Sequence, residues 1–139
     1  MKVKLDDGAY MPERAHLTDA GLDLRTPYDA GFVDGVCVID TGVHIELPRG
    51  FYGKIESKSG LNVKHGIVSC GGVIDEGYTG SIMVKLYALD EERGKNFVFR
   101  KGDKVAQLII QPYAVPTLTL VSELEPTERG NNGFGSTGR

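Results

Sequence analysis

The C-terminal stretch RGNNGFGSTGR combines residue types that suit nucleotide recognition, because Phe134 lies between two glycines and precedes Ser136 and Thr137. Glycines let backbone N–H groups approach a ligand closely, and successive N–H groups can bind an anion. A phenylalanine ring can stack on a flat base, and hydroxyls and Arg129 can bind phosphate. The same composition is also typical of a disordered terminus. If the stretch is functional, it predicts a lid that becomes ordered on a nucleotide.

Two polar stretches could hold a metal ion and a phosphate. In TDAGLDLRTP, Asp23 lies between two leucines and is either an edge carboxylate or a magnesium ligand. Magnesium typically takes one or two carboxylates together with substrate phosphates and water. In ESKSGLN, Lys58 and Ser59 precede Gly60 and a possible helix start, a combination that suits phosphate. The alternative is that Ser59 only caps that helix.

Two further polar stretches have the character of a hairpin and a strand. In GGVIDEGYTG, Asp75 follows an apolar run and Tyr78 lies at the tip of a turn, as in many hairpins. As a site, Asp75 could orient a water molecule, Tyr78 could lie against a sugar, and the backbone near Gly72 could bind a base edge. In KGDKVAQLIIQP, Asp103 is expected to brace a turn, and Gln107 is either an exposed strand residue or a hydrogen-bonding group in a cleft.

These stretches lie between short runs of strand character. In SIMVKLYAL, Ile82, Val84 and Leu86 recur at every second residue, the period of a half-buried strand. Comparable runs extend from KVKL to KVAQLIIQPY and TLTLVSEL, and only SGLNVKHG favours a turn or two of helix. Many short strands predict an all-β barrel or sandwich over residues 1–125. A glycine-rich arm is predicted over residues 126–139, where Pro126 separates it from the last strand.

Length and charge restrict the class of protein. The 139 residues suit one domain, and a net charge of −3 with scattered basic residues predicts no general nucleic-acid surface. No apolar run is long enough to span a membrane and no leader is recognised, so a cytoplasmic protein is expected. Cys37 and Cys70 are far apart and predict free thiols without a zinc site. We interpret His16, His44 and His65 as surface or packing residues.

In their order, AGLDL, SKSGL, GVIDEGYTG, GDKVAQLII and RGNNGFGSTG resemble the five motifs of the homotrimeric dUTPase family. The similarity extends from about Asp19 to Gly138, and the third and fifth motifs are specific. It implies a distorted β-barrel of jelly-roll type in a homotrimer, with active sites shared by the subunits and closed by a C-terminal arm. It also implies Mg²⁺-dependent hydrolysis of dUTP to dUMP and pyrophosphate, which limits uracil in DNA and supplies dUMP for dTTP synthesis.

The resemblance implies roles for individual residues. Asp75 would activate the water that attacks the α-phosphorus, Tyr78 would exclude a ribose 2′-hydroxyl, and Asp23 would hold magnesium through water. Phe134 would stack on the uracil. The remaining substrate-binding residues would be Lys58, Ser59, Gly60, Gly72, Val73, Ile74, Gln107, Arg129, Gly133, Gly135, Ser136 and Thr137.

The sequence departs from the family pattern at two positions. Lys58 stands where the family usually has arginine, and a point charge makes a looser phosphate contact than a planar fork. Leu22 stands where an aromatic residue is common, which we interpret as a packing change.

Two other functions are considered as alternatives to the dUTPase hypothesis. A dCTP deaminase shares the fold, but those enzymes carry a catalytic glutamate where this chain has Lys85, and they lack this form of arm. A regulatory phage protein that binds a host repressor is a less favoured second role. Such relatives often carry an extra insert where this chain has only DEERGKNFVFRK. The expected partners are therefore dUTP and two further copies of the chain, without a membrane or nucleic acid.

Overall fold

The alternating patterns fold into eleven short strands and two short helices in a computed structural model that describes residues 1–131. The strands are β1 (Lys2–Leu5), β2 (Gly21–Arg25), β3 (Ala30–Gly31), β4 (Val36–Asp40), β5 (Val43–Glu46), β6 (Phe51–Glu56), β7 (Ile67–Ser69), β8 (Val73–Ile74), β9 (Met83–Ala88), β10 (Val98–Phe99) and β11 (Lys104–Pro112). The helices are α1 (Ser59–His65) and α2 (Glu91–Lys95).

The strands pair antiparallel across long sequence separations. The largest sheet of the described chain has the order β2-β11-β6-β8, and a second sheet has the order β4-β9-β7. Two two-stranded pairs, β1-β5 and β3-β10, complete the arrangement. Sheet neighbours that are distant in sequence are typical of Greek-key and jelly-roll topologies. The predicted all-β, jelly-roll-like fold is confirmed.

One apolar core lies between the sheets, and the predicted alternation supplies it. In β9, Val84 and Leu86 are buried while Met83 and Lys85 face solvent. In β11, Val105, Ala106 and Leu108 belong to the core. Removing such side chains from water supplies the main favourable free energy of folding.

Helix α1 forms where the sequence favours a turn or two of helix. Its N-cap position is Lys58, and no side chain caps it, so the interpretation of Ser59 as the capping residue is wrong. The helix ends at His65 and is capped by Gly66. The φ of Gly66 is left-handed at +63°, and its N–H donates to the carbonyl of Asn62. Glycine adopts this conformation without a steric penalty, which explains the end point. Helix α2 was not predicted, because EERGK is too short to show a helical period.

The strand predicted for TLTLVSEL does not form within the described chain. Residues 113–124 carry neither strand nor helix and are exposed, with Leu118, Leu120 and Leu124 at least 86% exposed. A strand needs a hydrogen-bonding neighbour, and β11 already pairs on both sides with β2 and β6. The apolar side chains of this segment are therefore exposed within the described chain.

The connection between β7 and β8, which belong to different sheets, depends on a glycine. Gly72 has a φ of +111°, and a Cβ atom there would lie 2.5 Å from Cβ of Ile55. The carbonyl of Gly72 accepts the N–H of Ile55 at 2.8 Å, so this close approach is part of the sheet. Gly71 has a comparable φ of +83°, but a Cβ atom at that position would meet nothing within 4 Å.

These two adjacent glycines give a matched test of the packing. Gly71→Ala should lower the free energy of unfolding by about 1–2 kcal/mol, because alanine is strained at positive φ. Gly72→Ala should cost about 1–3 kcal/mol more than Gly71→Ala, because it also forces Ile55 to move. Chemical denaturation of both variants at one protein concentration measures the difference. Equal destabilisation would show that Ile55 does not restrict this position.

Candidate active site

A buried carboxylate lies between two ammonium groups on the sheet that contains β2, β11 and β6. The Nζ atom of Lys58 is 2.5 Å from Oδ1 of Asp23, and the Nζ atom of Lys104 is 2.6 Å from Oδ2. The Asp23 side chain is 7% exposed, against 21% for Lys58 and 35% for Lys104. We call these three residues together with Gln107 the Asp23 cluster. Sequence analysis identified all of its members except Lys104.

The strand register explains why these residues meet. Gln107 of β11 lies opposite Asp23 of β2 and opposite Glu56 of β6, and Lys58 follows β6 by two residues. On a regular strand, residues 104 and 107 would point to opposite faces. A register shift between Lys104 and Ala106 acts as a β-bulge and lets the Lys104 side chain reach Asp23. The signal for Lys104 was present in GDKVAQLII, but the bulge is not readable from sequence.

The charges of the Asp23 cluster favour an anionic ligand. Burial raises the pKa of the Asp23 carboxyl, but the hydrogen bonds and charges of Lys104 and Lys58 outweigh it and the pKa lies below its usual value. Asp23 is therefore ionised at neutral pH. Two ammonium groups around one carboxylate leave a net positive charge, which suits binding of phosphate oxygens.

The Gln107 amide lies next to a glycine on the neighbouring strand. A Cβ atom added at Gly21 would lie 3.0 Å from both Cβ and Oε1 of Gln107. The missing side chain at this position makes room for the amide beside Asp23. Gln107 is half-buried, which fits a hydrogen-bonding group in a cleft better than a plain exposed strand residue.

The second set of predicted residues lies within residues 72–78, which we call the β8 segment. The hairpin interpretation of this stretch is wrong, because β8 pairs with β6, whereas β9 pairs with β4 and β7. Ile74 is buried and pairs with Gly53 of β6, whereas Val73 is 67% exposed and pairs with Lys54. The Gly72 carbonyl is taken by the N–H of Ile55. Because a carbonyl oxygen has two lone pairs, this hydrogen bond does not prevent the backbone of the β8 segment from binding a base edge.

Asp75 lies at the start of the turn after β8 and is exposed. Its carboxylate has no hydrogen-bond or ion-pair partner within residues 1–131, whereas its carbonyl accepts the N–H of Tyr78 at 2.9 Å. The Tyr78 hydroxyl donates to the carbonyl of Ser81 at 2.9 Å. The Tyr78 ring covers Gly80, where an added Cβ would lie 2.5 Å from the hydroxyl oxygen. Tyr78 is 42% exposed, so part of its ring is accessible to a ligand.

The start of this turn is held by Glu76, a residue that sequence analysis did not identify. Oε2 of Glu76 accepts the N–H of Gly50 at 2.8 Å and the hydroxyl of Tyr113 at 2.9 Å. The Gly50 hydrogen bond and then the Tyr113 hydroxyl lower the pKa of Glu76. The hydrogen bond to Glu76 raises the pKa of Tyr113. No sequence signal marks this contact, because its partners are distant in the chain.

His44 holds the other end of the turn. Its Nδ1 lies 2.9 Å from the carbonyl oxygen of Thr79, and its Nε2 lies 3.0 Å from Oδ2 of Asp6. Both partners accept hydrogen bonds, so only the doubly protonated ring satisfies them together. The Asp6 hydrogen bond is the main cause that raises the pKa of His44. His65 stacks on Phe97 with ring centres 4.8 Å apart, as expected for a packing residue.

The remaining predicted residues are placed as follows. Ser59 and Gly60 are exposed at the start of α1, and Asp103 braces the β10–β11 turn by accepting the N–H of Arg100 at 2.8 Å, as predicted. Arg129 is exposed beyond β11. Gly133, Phe134, Gly135, Ser136 and Thr137 lie outside the described residues.

One chain does not bring all predicted residues to a single cavity. A cavity of about 420 Å³ adjoins Asp75, and none of its lining residues belongs to the Asp23 cluster. The lining residues are Tyr52, Val73, Asp75, Glu76, Gly77 and Tyr113. On one chain, the Asp23 cluster and the β8 segment are therefore separate groups of predicted site residues.

Two surveys of residues 1–131 concern metals and membranes. Over this range, no three His, Cys, Asp or Glu side chains come close enough to hold a metal ion by themselves. The two helices found there are far too short, and too polar, to traverse a lipid bilayer. Cys37 is buried and Cys70 is exposed, and both are free thiols, as predicted.

Comparisons with known proteins identify the family of the chain. A family model described as dUTPase matches residues 7–138. The deoxyuridine 5′-triphosphate nucleotidohydrolase of Mus musculus is 41% identical over 138 residues, covering 99% of this chain and 83% of that protein. The enzyme of the same name from Corynebacterium glutamicum is also 41% identical, covering 99% of this chain and 93% of its own length.

Solved structures show the same likeness. A variant of the Staphylococcus bacteriophage 80alpha dUTPase with dUpNHpp superposes with a TM-score of 0.87 at 32% identity and covers 99% of this chain and 98% of that chain. A variant of the dUTPase from phage phi11 of S. aureus, described with a structural Mg(II) ion, has a TM-score of 0.77 at 31% identity over 88% of this chain and 96% of that chain. The dCTP deaminase alternative has no support in these matches. The chain therefore belongs to the dUTPase family, the enzymes that hydrolyse dUTP.

Proposed function

We propose that the chain hydrolyses dUTP to dUMP and pyrophosphate with Asp75 as the catalytic base. The observation that carries this role is an exposed carboxylate without a partner in the described chain, on a turn that other side chains hold in place. Asp75 would accept a proton from a water molecule as its oxygen attacks the α-phosphorus. The bond to the bridging oxygen then breaks and pyrophosphate leaves. Positioning and charge neutralisation supply most of the rate enhancement in such reactions.

The Asp23 cluster is the proposed triphosphate site. Lys58, Lys104 and Gln107 offer donors to phosphate oxygens, and Ser59 with Gly60 lies beside them at the start of α1. Asp23 holds both ammonium groups in place before the substrate arrives, which reduces the entropy lost on binding. Because lysine binds as a point charge, Lys58 can shift between Asp23 and a phosphate more freely than an arginine fork.

The residues fit a magnesium ion that arrives with the triphosphate. Asp23 is a single carboxylate with both oxygens on lysines, so it does not form a metal site alone within residues 1–131. Magnesium keeps several waters and is commonly held by one carboxylate and substrate phosphates. Asp23 would then hold the hydrated ion through water, and the ion would neutralise charge on the phosphates.

The β8 segment is the proposed nucleoside site. The backbone of Gly72, Val73 and Ile74 would bind the uracil edge, and Tyr78 would pack on the deoxyribose and leave no room for a 2′-hydroxyl. A site with fixed polar partners rejects a mismatched edge strongly, because its buried groups are left unpaired. Phe134 would stack on the base from the C-terminal arm over residues 126–139.

The fifth motif would supply the closing contacts of the arm to the substrate. In that motif Arg129, Ser136 and Thr137 would bind the outer phosphates, and Gly133 and Gly135 flank the stacking Phe134. Closing the arm over the site would exclude water and complete the set of donors.

We also propose a homotrimer whose active sites are shared. The Asp23 cluster and the β8 segment do not line one cavity within the described chain. The exposed apolar side chains of residues 113–124 also lack cover within the described chain. Packing this segment on a neighbouring subunit would supply the partner that the predicted strand lacks and would bury those leucines.

We expect the enzyme to act in the cytoplasm, where its nucleotide substrate is made. Two free cysteines agree with a reducing compartment. A regulatory protein partner remains the less favoured second role, because only α2 and a few flanking residues lie between β9 and β10. A pull-down that captures a partner only in the presence of dUTP would establish that role.

The catalytic assignment predicts a loss of turnover without a loss of binding. Asp75→Asn should lower kcat by about 10²–10⁴-fold, because the amide cannot accept the proton. Isothermal titration with a non-hydrolysable dUTP analogue should show nearly unchanged affinity. Asp7→Asn, at an exposed carboxylate outside the proposed site, is the control. Near-normal turnover by Asp75→Asn would overturn the assignment.

The arm assignment predicts a separate loss. Deleting residues 130–139 should abolish most activity and leave the trimer intact in light scattering, because the segment would close the site and not build the interface. Phe134→Ala should weaken substrate binding by about 1–3 kcal/mol, the usual size of a base–aromatic stack. Phe134→Trp, which keeps a stacking ring, should restore most of it. A truncated protein with normal turnover would contradict the lid.

A further inference from the structure

Glu76, the residue after Asp75, connects the turn after β8 to two other parts of the chain. Glu76 is half-buried, and a single oxygen, Oε2, accepts both the N–H of Gly50 at 2.8 Å and the hydroxyl of Tyr113 at 2.9 Å. Gly50 immediately precedes β6, and Tyr113 immediately follows β11. One carboxylate therefore joins the turn to the ends of the two central strands of the largest sheet.

These contacts matter because Asp75 is fixed only through its neighbours. Its carboxylate has no partner within the described residues. Ile74 before it is buried and paired to Gly53, and Glu76 after it is the next residue whose side chain is held. The direction in which the Asp75 side chain points is therefore set by a short stretch of backbone between two anchors.

The ring of Tyr113 is held in turn. It packs edge-on against Tyr52, with ring centres 6.4 Å apart, and the Tyr52 hydroxyl donates to Oε1 of Gln111 at 2.9 Å. Both tyrosines line the same cavity as Asp75 and Glu76. The hydroxyl that Glu76 accepts thus comes from a ring with a defined orientation.

We propose that Glu76 is a positioning residue for water activation by Asp75, acting through Gly50 and Tyr113. This inference depends on the proposed catalytic role of Asp75. Reacting groups must be aligned closely, and a misplacement of about 1 Å can cost on the order of 10²-fold in rate. Asp75 is the better placed base, because Oε2 of Glu76 already accepts two donors, whereas neither carboxylate oxygen of Asp75 has a partner in the described chain.

The geometry separates a positioning role from a role of the negative charge. Because both hydrogen bonds end on one oxygen, a glutamine amide oxygen in the same place accepts the same two donors. Glu76→Gln thus removes the charge and keeps the tether, whereas Glu76→Ala removes both. Tyr113→Phe removes one of the two bonds and keeps the ring packed on Tyr52.

The experiment measures kcat and KM for dUTP and the affinity for a non-hydrolysable dUTP analogue. Glu76→Ala should lower kcat by about 10- to 100-fold, and Tyr113→Phe by about 3- to 10-fold, the range of one hydrogen bond. Glu76→Gln should recover most of the rate lost in Glu76→Ala, and analogue affinity should change little in all three. Glu46→Ala removes an exposed carboxylate whose one partner within residues 1–131 is Lys2, and it should stay near the starting rate.

Three outcomes would overturn the proposal. Unchanged kcat in Glu76→Ala would show that the tether does not position Asp75. Equal losses in Glu76→Gln and Glu76→Ala would assign the effect to charge. If Glu76→Ala does not fold by circular dichroism, unchanged kcat in the folded Tyr113→Phe variant would reject the tether.

Asp75→Asn in parallel distinguishes the two claims. If it keeps turnover, the proposed function of Asp75 fails. If it loses turnover while the Glu76 variants do not, only the present inference fails.

Discussion

The register of β11 is the constraint on which the rest of the structure depends. This strand pairs with β2 on one side and with β6 on the other, and β6 in turn pairs with β8. The register puts Gln107 opposite Asp23 and brings Lys58 beside them. It also fixes β8, and therefore Asp75, relative to the same sheet. A shift by one residue would turn every side chain of β11 to the other face, so the core and the Asp23 cluster would be lost together.

The two parts of the proposed site, the Asp23 cluster and the β8 segment, are held in place by different interactions. In the Asp23 cluster, charges neutralise one another in a partly buried setting, and the attraction between Asp23 and its lysines outweighs the cost of burial. In the β8 segment, the pairing of β8 with β6 and the contacts of Glu76 and His44 hold a turn. The Asp75 carboxylate on this turn has no partner within residues 1–131. A phosphate site needs donors that can exchange one anion for another. A general base needs an open carboxylate that is held in one direction.

Sequence reasoning predicted the strands with clear alternation, the short helix α1 and most members of both groups. It could not predict Lys104, because a β-bulge alone brings that side chain to Asp23. It missed the contacts of Glu76 and His44, because their partners are distant in sequence and have no motif spacing. It predicted a strand over residues 117–124 from local pattern, although pairing depends on a neighbour that the single chain does not offer. Local pattern thus specified elements, and long-range contacts had to come from the fold.

The most direct test of the central claim is a product analysis in ¹⁸O-labelled water. The purified protein with magnesium would be incubated separately with dUTP, dCTP, dTTP and UTP, and the products analysed by mass spectrometry. The account predicts turnover of dUTP alone, with the label in dUMP, because water attacks the α-phosphorus. Label in pyrophosphate would contradict the proposed attack, and ammonia released from dCTP would contradict the reaction itself.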